Sequence, residues 1–360
     1  MNTPSGRKPG RPPNCERNAN IIPHRGISAT PSRIEEGIKE IVFELIYDKP
    51  NLFKKIFTIT KSMQVSDLYF SAETEELKIY AKSPEDKSEI YIKINGCRMN
   101  NYYIDSKYSF QLKYSKLAKV ISSIHKNCTQ IQFFLTRYTS SSQLGIKLID
   151  DIIHREDEYN IDTISLEPCD WDRVEAELDK SSEYALKFDM QYGNFKQVIN
   201  ESKNMSDKLR IEKCPGDPTL YMSLVFTDGG AEKKTKYSDP AAINMRNQLN
   251  DNEILGVSVN LDYIKPLLSG SQISETITIS IDDKFPKMIF DIPMNFNMNG
   301  KNKVPDTNAC TVSMLVNTVN SLDIGEPVMK NMKKIKARSS IIGTKNAKQP
   351  EIIPEIVDED

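Results

Sequence analysis

The chain has 360 residues, 38% of them apolar and 8% aromatic, enough to bury one large or two medium hydrophobic cores. Its 48 basic and 50 acidic residues leave a net charge of −2, so any polyanion-binding face must come from segregation of charge. No run of about 18 apolar residues and no apolar secretory signal is found, and six scattered cysteines without a C-x-x-C pair (Cys15, Cys97, Cys128, Cys169, Cys214, Cys310) argue against a zinc ribbon or disulfide framework; the expectation is an intracellular protein with reduced, structural thiols.

Residues 1–36 are rich in Pro, Gly, Arg and Asn without periodicity and read as a disordered basic arm. Within it, Gly6 to Pro13 is similar to a minor-groove AT-hook but carries Pro9-Gly10-Arg11-Pro12 where the hook's core needs Arg-Gly-Arg-Pro. From there one unit recurs four times: an alternating strand, a short amphipathic helix, then two strands as a hairpin. The leading strands are Ile41 to Ile46, Phe110 to Lys113, Tyr184 to Phe188 and Leu255 to Val259, and helices begin near Leu52, Lys116, Phe195 and Tyr263. Three of the helices share an exit, Val65-Ser66-Asp67, Met205-Ser206-Asp207 and Ile273-Ser274-Glu275, while the second has Asn127-Cys128-Thr129. Recurrence at matching places favours repeat ancestry over chance turn chemistry.

Paired units predict two domains, 37–156 and 183–296. Residues 157–182, with the apolar Ile161 to Leu166 and the acidic Glu167 to Lys180, read as the loop between them. Residues 297–360 read as a largely disordered extension, in which only Thr311 to Val319 is apolar enough for a further strand or docking element.

Helical spacing sorts each helix into two faces. Leu52, Phe53, Ile56, Phe57 and Met63 form one stripe, with Lys54, Lys55, Thr58 and Lys61 elsewhere on the helix. Leu117, Val120, Ile121 and Ile124 oppose Lys116, Lys119, Ser123 and Lys126, and Phe195, Val198 and Ile199 oppose Lys196, Asn200 and Lys203. The fourth helix, with Asp262 as its expected cap and Pro266 in its first turn, has Lys265 alone. Taken singly, such lysines are a solvated face. Taken together, they predict one basic surface suited to phosphate, with nothing set to read bases.

In this order and spacing the chain resembles the proliferating cell nuclear antigen family of DNA sliding clamps over residues 40–296. The resemblance rests on Leu52-Phe-Lys-Lys-Ile-Phe57, Tyr114-Ser-Lys-Leu-Ala-Lys-Val-Ile121, Glu183 to Ile199, and Ile273 to Ile292 with its Lys284-Phe-Pro286 turn. It implies an α+β clamp fold: two similar domains, each with helices on the inner face of antiparallel sheets, closing head to tail into a homotrimeric ring. It implies a non-enzymatic processivity factor that encircles duplex DNA without sequence specificity, in the nucleus or another site of replication, a viral factory for a viral protein. Polymerase, clamp loader and repair clients would dock through a hydrophobic peptide groove, with no cofactor, no metal and no membrane.

By motif position, Lys54, Lys55, Lys116, Lys119, Lys196 and Lys265 fall where the family places DNA-facing residues; Lys49, Lys61, Lys126 and Lys203 extend that set by helical phase. The groove maps to Ile164, Leu166, Phe285 and Pro286. The subunit interface maps to Leu144, Ile146 and Leu148 on one edge and to Lys234 and Lys236 on the other.

Rival readings are a subunit of a heteromeric checkpoint-type ring, a monomeric processivity factor, and a clamp-fold or sequence-specific transcription factor. An enzyme has no support in the motifs: there is no G-x-S-x-G, P-loop or H-E-x-x-H, and His24, His125 and His154 are far apart. Asp150-Asp151 and Asp282-Asp283 read as strand-end turns.

Overall fold

Four times a strand runs almost directly into a helix, because the alternating apolar residues of the strand and the apolar stripe of the helix feed the same core. The computed structural model describes residues 41–136, 143–164, 169–202, 206–214, 219–225, 232–239, 243–247, 255–293 and 310–319. Strand β1 (Ile41–Tyr47) enters α1 (Pro50–Ser62), whose Pro50 sits in the first turn, where a missing N–H costs no hydrogen bond. Gln64 at φ 57° breaks the chain away from the helix into β2 (Asp67–Ala72), β3 (Glu76–Lys82), β4 (Ser88–Asn95) and β5 (Asn101–Ile104). The second unit is β6 (Tyr108–Lys113), α2 (Tyr114–Ser123), β7 (Gln130–Thr136), β8 (Gln143–Asp150) and β9 (Arg155–Asp162).

After α3 (Trp171–Asp179) the pattern repeats as β10 (Leu186–Gln191), α4 (Tyr192–Ser202), β11 (Lys208–Lys213), β12 (Leu220–Val225), β13 (Glu232–Tyr237) and β14 (Ile243–Asn247). The last unit is β15 (Leu255–Asn260), α5 (Leu261–Ile264) with the 3-10 turn Lys265–Gln272, β16 (Thr276–Ile281), β17 (Lys287–Pro293) and β18 (Cys310–Val319).

Pairing is antiparallel throughout, and the two domains match strand for strand. The first has a five-stranded order β5-β1-β7-β8-β9 and a four-stranded order β6-β2-β3-β4; the second has β14-β10-β16-β17-β18 and β13-β12-β11-β15. Strand β18 also pairs with β4, from Cys310 opposite Ile94 to Val316 opposite Ser88, and so welds the domains edge to edge. One continuous cluster of buried side chains runs through both domains, including Leu45, Phe57, Ile92, Phe195, Phe290 and Met314.

The structure corrects the sequence reading in four places. Strand β9 completes the first domain's sheet, so that domain extends past residue 156 to Asp162. The acidic segment read as part of a loop contains helix α3, capped by the Asp170 carboxylate, which accepts from the Arg173 N–H at 3.0 Å. The second domain closes with β18, inside the segment assigned to the extension, where the apolar run had marked a possible strand. The fourth helix is one turn of α-helix followed by the 3-10 turn, and its cap is Asn260, which accepts from the Asp262 N–H at 2.8 Å, not Asp262 itself. Residues 1–40 and 320–360, including the basic arm, lie outside the described residues.

Candidate nucleic-acid interface

The helices of the four repeats, α1, α2, α4 and α5 with its 3-10 turn, lie in one row. Helix α1 packs between α2 and the 3-10 turn, which packs in turn against α4. Each buries an apolar stripe: Phe53, Ile56 and Phe57 in α1, Leu117, Val120 and Ile121 in α2, Phe195, Val198 and Ile199 in α4. The charged side chains that remain outward are mostly lysine. Lys49, Lys54, Lys61, Lys116, Lys119, Lys126 and Lys196 are exposed, while Lys55 and Lys265 are half-buried; Lys203 lies outside the described residues. Along these helices and the 3-10 turn there are seven lysines against two carboxylates, Asp262 and Glu201.

Some of these lysines are already oriented. Lys54 Nζ donates to the carbonyl of Ile124 at the end of α2 at 2.9 Å, which ties two neighbouring helices together. Lys116 pairs with Asp162 at 3.2 Å and Lys265 with Asp262 at 2.5 Å, both at the surface, where such pairs contribute little. The row offers flexible, single-point cations, the chemistry of backbone phosphate contact; it holds no arginine fork for base edges.

The subunit-edge assignment divides. Leu144, Ile146 and Leu148 are buried on β8, which is flanked on both sides by β7 and β9 and therefore offers no free edge. The edge is β9, too charged to be recognised as a strand from its sequence. Lys234 and Lys236 do lie on an edge strand, β13, at the end of the second domain's four-stranded sheet. Lys234 bonds the buried Glu212 at 2.9 Å and stands 4.5 Å from the centre of the Tyr221 ring; Lys236 is exposed.

The residues assigned to one client groove sit apart. Ile164 donates its N–H to the Gln111 carbonyl on β6 at 2.9 Å, whereas Phe285 stacks on Tyr184 at 4.7 Å beside β17. Pro286 accepts from the Thr318 N–H at 2.8 Å, and Leu166 lies outside the described residues. Strands β2, β3, β4 and β18 intervene between β6 and β17, a separation of about 24 Å at 4.8 Å per strand.

Helix α3 covers the intervening surface. Val174 is fully buried against Tyr80 and Tyr91, Trp171 meets both rings edge-on at 6.1 and 6.2 Å, and Leu178 packs with Tyr184, Ile289 and Leu315. The i, i+3, i+7 spacing of Trp171, Val174 and Leu178 is the signal in the sequence that marks this face.

Charges pin the helix. Glu89 of β4 bonds Arg173 at 3.0 Å and Lys287 at 2.9 Å and accepts from the Tyr80 hydroxyl at 2.8 Å. Burial pushes its carboxyl pKa up, but the hydrogen bonds from Lys287, Arg173 and Tyr80 outweigh that and hold it below the usual range. On the other flank Lys78 meets Glu175 at 2.5 Å.

A cleft of about 430 Å³ opens beside the start of α3, lined by residues including Tyr69, Tyr80, Lys82, Cys169, Asp170 and Arg173. Burial pushes the Cys169 thiol up to about 11, so it is protonated at neutral pH and a poor nucleophile there. Among the described residues no group of three or more His, Cys, Asp or Glu is placed to hold a metal. Asp150 and Asp282 serve turns, accepting from the Ile152 and Lys284 N–H groups, and Asp282 also accepts from the Ala185 N–H ahead of β10.

No family model matches the chain. It is similar to an uncharacterized protein of African swine fever virus, at 24% identity over 284 residues in both a tick isolate from South Africa and a pig isolate from Kenya, covering 77% of this chain and 90% of that protein. Its structure is similar to the crystal structure of the proliferating cellular nuclear antigen of Entamoeba histolytica, with a TM-score of 0.58 and 10% identity, over 78% of this chain and all of that one. The chain therefore has the sliding-clamp fold that the resemblance in its sequence implies.

Proposed function

We propose that this chain, built on the sliding-clamp fold, is a non-enzymatic DNA clamp that associates head to tail into a homotrimeric ring around duplex DNA and tethers polymerase and repair clients to it. The observation that carries the reading is the helical row: seven lysines against two carboxylates in a chain that overall holds slightly more acid than base. Segregation of that kind favours phosphate contact without base readout. The client surface in this reading is α3 with the cleft beside it, since the residues expected to form one groove are separated by four strands.

The test is DNA binding by Lys54→Glu, Lys119→Glu, Lys196→Glu against the parent chain on duplexes of unrelated sequence. Affinity is expected to fall on all of them alike, and the slope of log affinity against log salt to shrink by about one per lysine lost. A loss confined to one duplex, or an unchanged salt slope in a folded variant, overturns the reading.

A further inference from the structure

Within one chain the domains are joined by β4 and β18. The matching strands of the other half are β13, last of its four-stranded sheet as β4 is of the first, and β9, last of its five-stranded sheet as β18 is of the second. Among the described residues β9 pairs only with β8, and β13 only with β12. An open edge invites a partner strand, and the intrachain joint supplies a template for how one would sit.

The register follows residue by residue. The β2–β6 and β11–β15 ladders end at equivalent pairs, Asp67 with Lys113 and Lys208 with Asn260, each directly before a helix. Stepping outward, Tyr69–Tyr80–Tyr91 corresponds to Arg210–Ser223–Lys234, so Lys93 corresponds to Lys236. On the other side the core-facing series Leu45–Phe133–Ile146–Tyr159 corresponds to Phe188–Ile279–Phe290–Met314. Tyr159 then stands for Met314, Glu158 for Ser313 and Glu156 for Thr311. In the intrachain joint Ser313 faces Tyr91 and Thr311 faces Lys93.

Carried to a second copy of the chain, the same register sets Glu158 opposite Lys234 and Glu156 opposite Lys236. We infer that the ring joints are closed by these two ion pairs, and that a second copy of this chain is the partner that β9 and β13 select. The inference rests on the clamp reading and adds its register and specificity. Three observations support it independently of that register. Strand β9 carries four carboxylates against one arginine, and β13 three lysines against one glutamate, so each edge repels its own kind and attracts the other. Glu156 and Glu158 already flank Lys147 at 2.6 and 3.4 Å, and Lys234 flanks Glu212, so docking interleaves the two rows into one alternating ladder. Ile152 and Ile153, 74% and 59% exposed, lie on the turn just before β9, at the end of this edge.

The joint differs in kind from its intrachain counterpart. There the inward pairs are Val312 with Ile92 and Met314 with Ile90, all buried, with α3 packed on Tyr91 from outside. Between chains the inward pairs become Asp157 with Thr235 and Tyr159 with Lys233. A ring so made opens at its charged joints while each chain stays whole, and salt governs the opening.

Sedimentation of the full chain at low salt and at about 1 M salt, where the screening length is about 3 Å, tests this. The trimer is expected at low salt and monomer at high salt, with the circular dichroism of the fold unchanged. Glu156→Lys or Lys236→Glu alone sets like charges opposite each other across the joint and is expected to weaken assembly about tenfold or more, and the two together in one chain to restore it. In a Cys15→Ser, Cys97→Ser background, Glu156→Cys with Lys236→Cys is expected to oxidise into covalent multimers, while Glu156→Cys with Lys234→Cys, two residues out of register, stays monomeric on a denaturing gel. A parent chain that is monomeric at low salt overturns the ring itself. A salt-resistant trimer, or one indifferent to the charge reversals or cross-linked out of register, overturns this inference and leaves the ring standing.

Discussion

Glu89 shows how much one side chain holds at the domain joint. It lies on β4, bonded by Arg173 from α3 and by Lys287 from β17, with the Tyr80 hydroxyl beneath it. Its carboxyl pKa is held down in the folded chain, so its contribution is fully present above the unfolded value of about 4.3 and is lost as pH falls through the folded one. Glu175 and Glu73 shift the same way, through hydrogen bonds to Lys78 and Tyr91 and to Lys107 and Lys78 that outweigh the upward pull of burial. Trp171, the chain's single tryptophan, reports on α3. Its emission is expected to shift to the red below about pH 4, and Glu89→Gln is expected to flatten that titration and cost on the order of 3 kcal/mol in denaturant melts. Ile146 makes the complementary case. A charge there, which the sequence reading would expect to open a ring, is instead expected to unfold the first domain, because Ile146 is fully buried on an interior strand.

Helix α3 and strand β9 show what was legible in the sequence and what was not. Helices α1, α2 and α4 announced themselves because their apolar residues recur at helical spacing against lysine, and the core-facing positions Phe53, Leu117 and Phe195 are where that spacing put them. The row's lysines were legible for the same reason. Strand β9, Arg-Glu-Asp-Glu-Tyr-Asn-Ile-Asp, buries only Ile161 fully, and an edge strand armed with charge looks like a linker to any reading that seeks alternation. Its neighbour β8 has the better pattern, and the edge assignment implied by the family resemblance fell on it. Helix α3 was hidden by its acidity, since Asp172, Glu175, Glu177 and Asp179 outnumber the residues it buries. Its stability comes from docking rather than propensity, as a nine-residue helix is marginal alone. Val174→Asp, which places a carboxylate between Tyr80 and Tyr91, is therefore expected to release α3 at a loss of about 2 kcal/mol or more. Trp171 emission would then shift to the red at neutral pH while the far-ultraviolet signal of the sheets persists; an unshifted emission in the folded variant would show that α3 is held elsewhere.

Across the whole molecule, the long-range contacts converge on β18. It closes the second domain's five-stranded sheet against β17, touches β15 of the other sheet at Ser258 and Val259, and pairs with β4 of the first domain. Helix α1 and the 3-10 turn reinforce the same boundary from the helical side. Since one buried cluster runs across it, neither domain has a surface of its own at the joint, and the chain is expected to unfold as a single cooperative unit despite its two-domain pattern. Met314 tests this most directly, because its fully buried side chain lies between Ile90 of one domain and Phe290 of the other. Met314→Asp leaves an uncompensated charge there, at a cost of roughly 3–5 kcal/mol, with the loss falling on the joint and on the second domain. The first domain keeps its five-stranded sheet and the packing of α1 and α2, none of which pairs with β18. Scanning calorimetry is expected to show one transition in the parent chain and two in the variant, the lower one belonging to the second domain. Two transitions already present in the parent would mean that β4 and β18 join domains that fold independently, and that the shared core does not couple them.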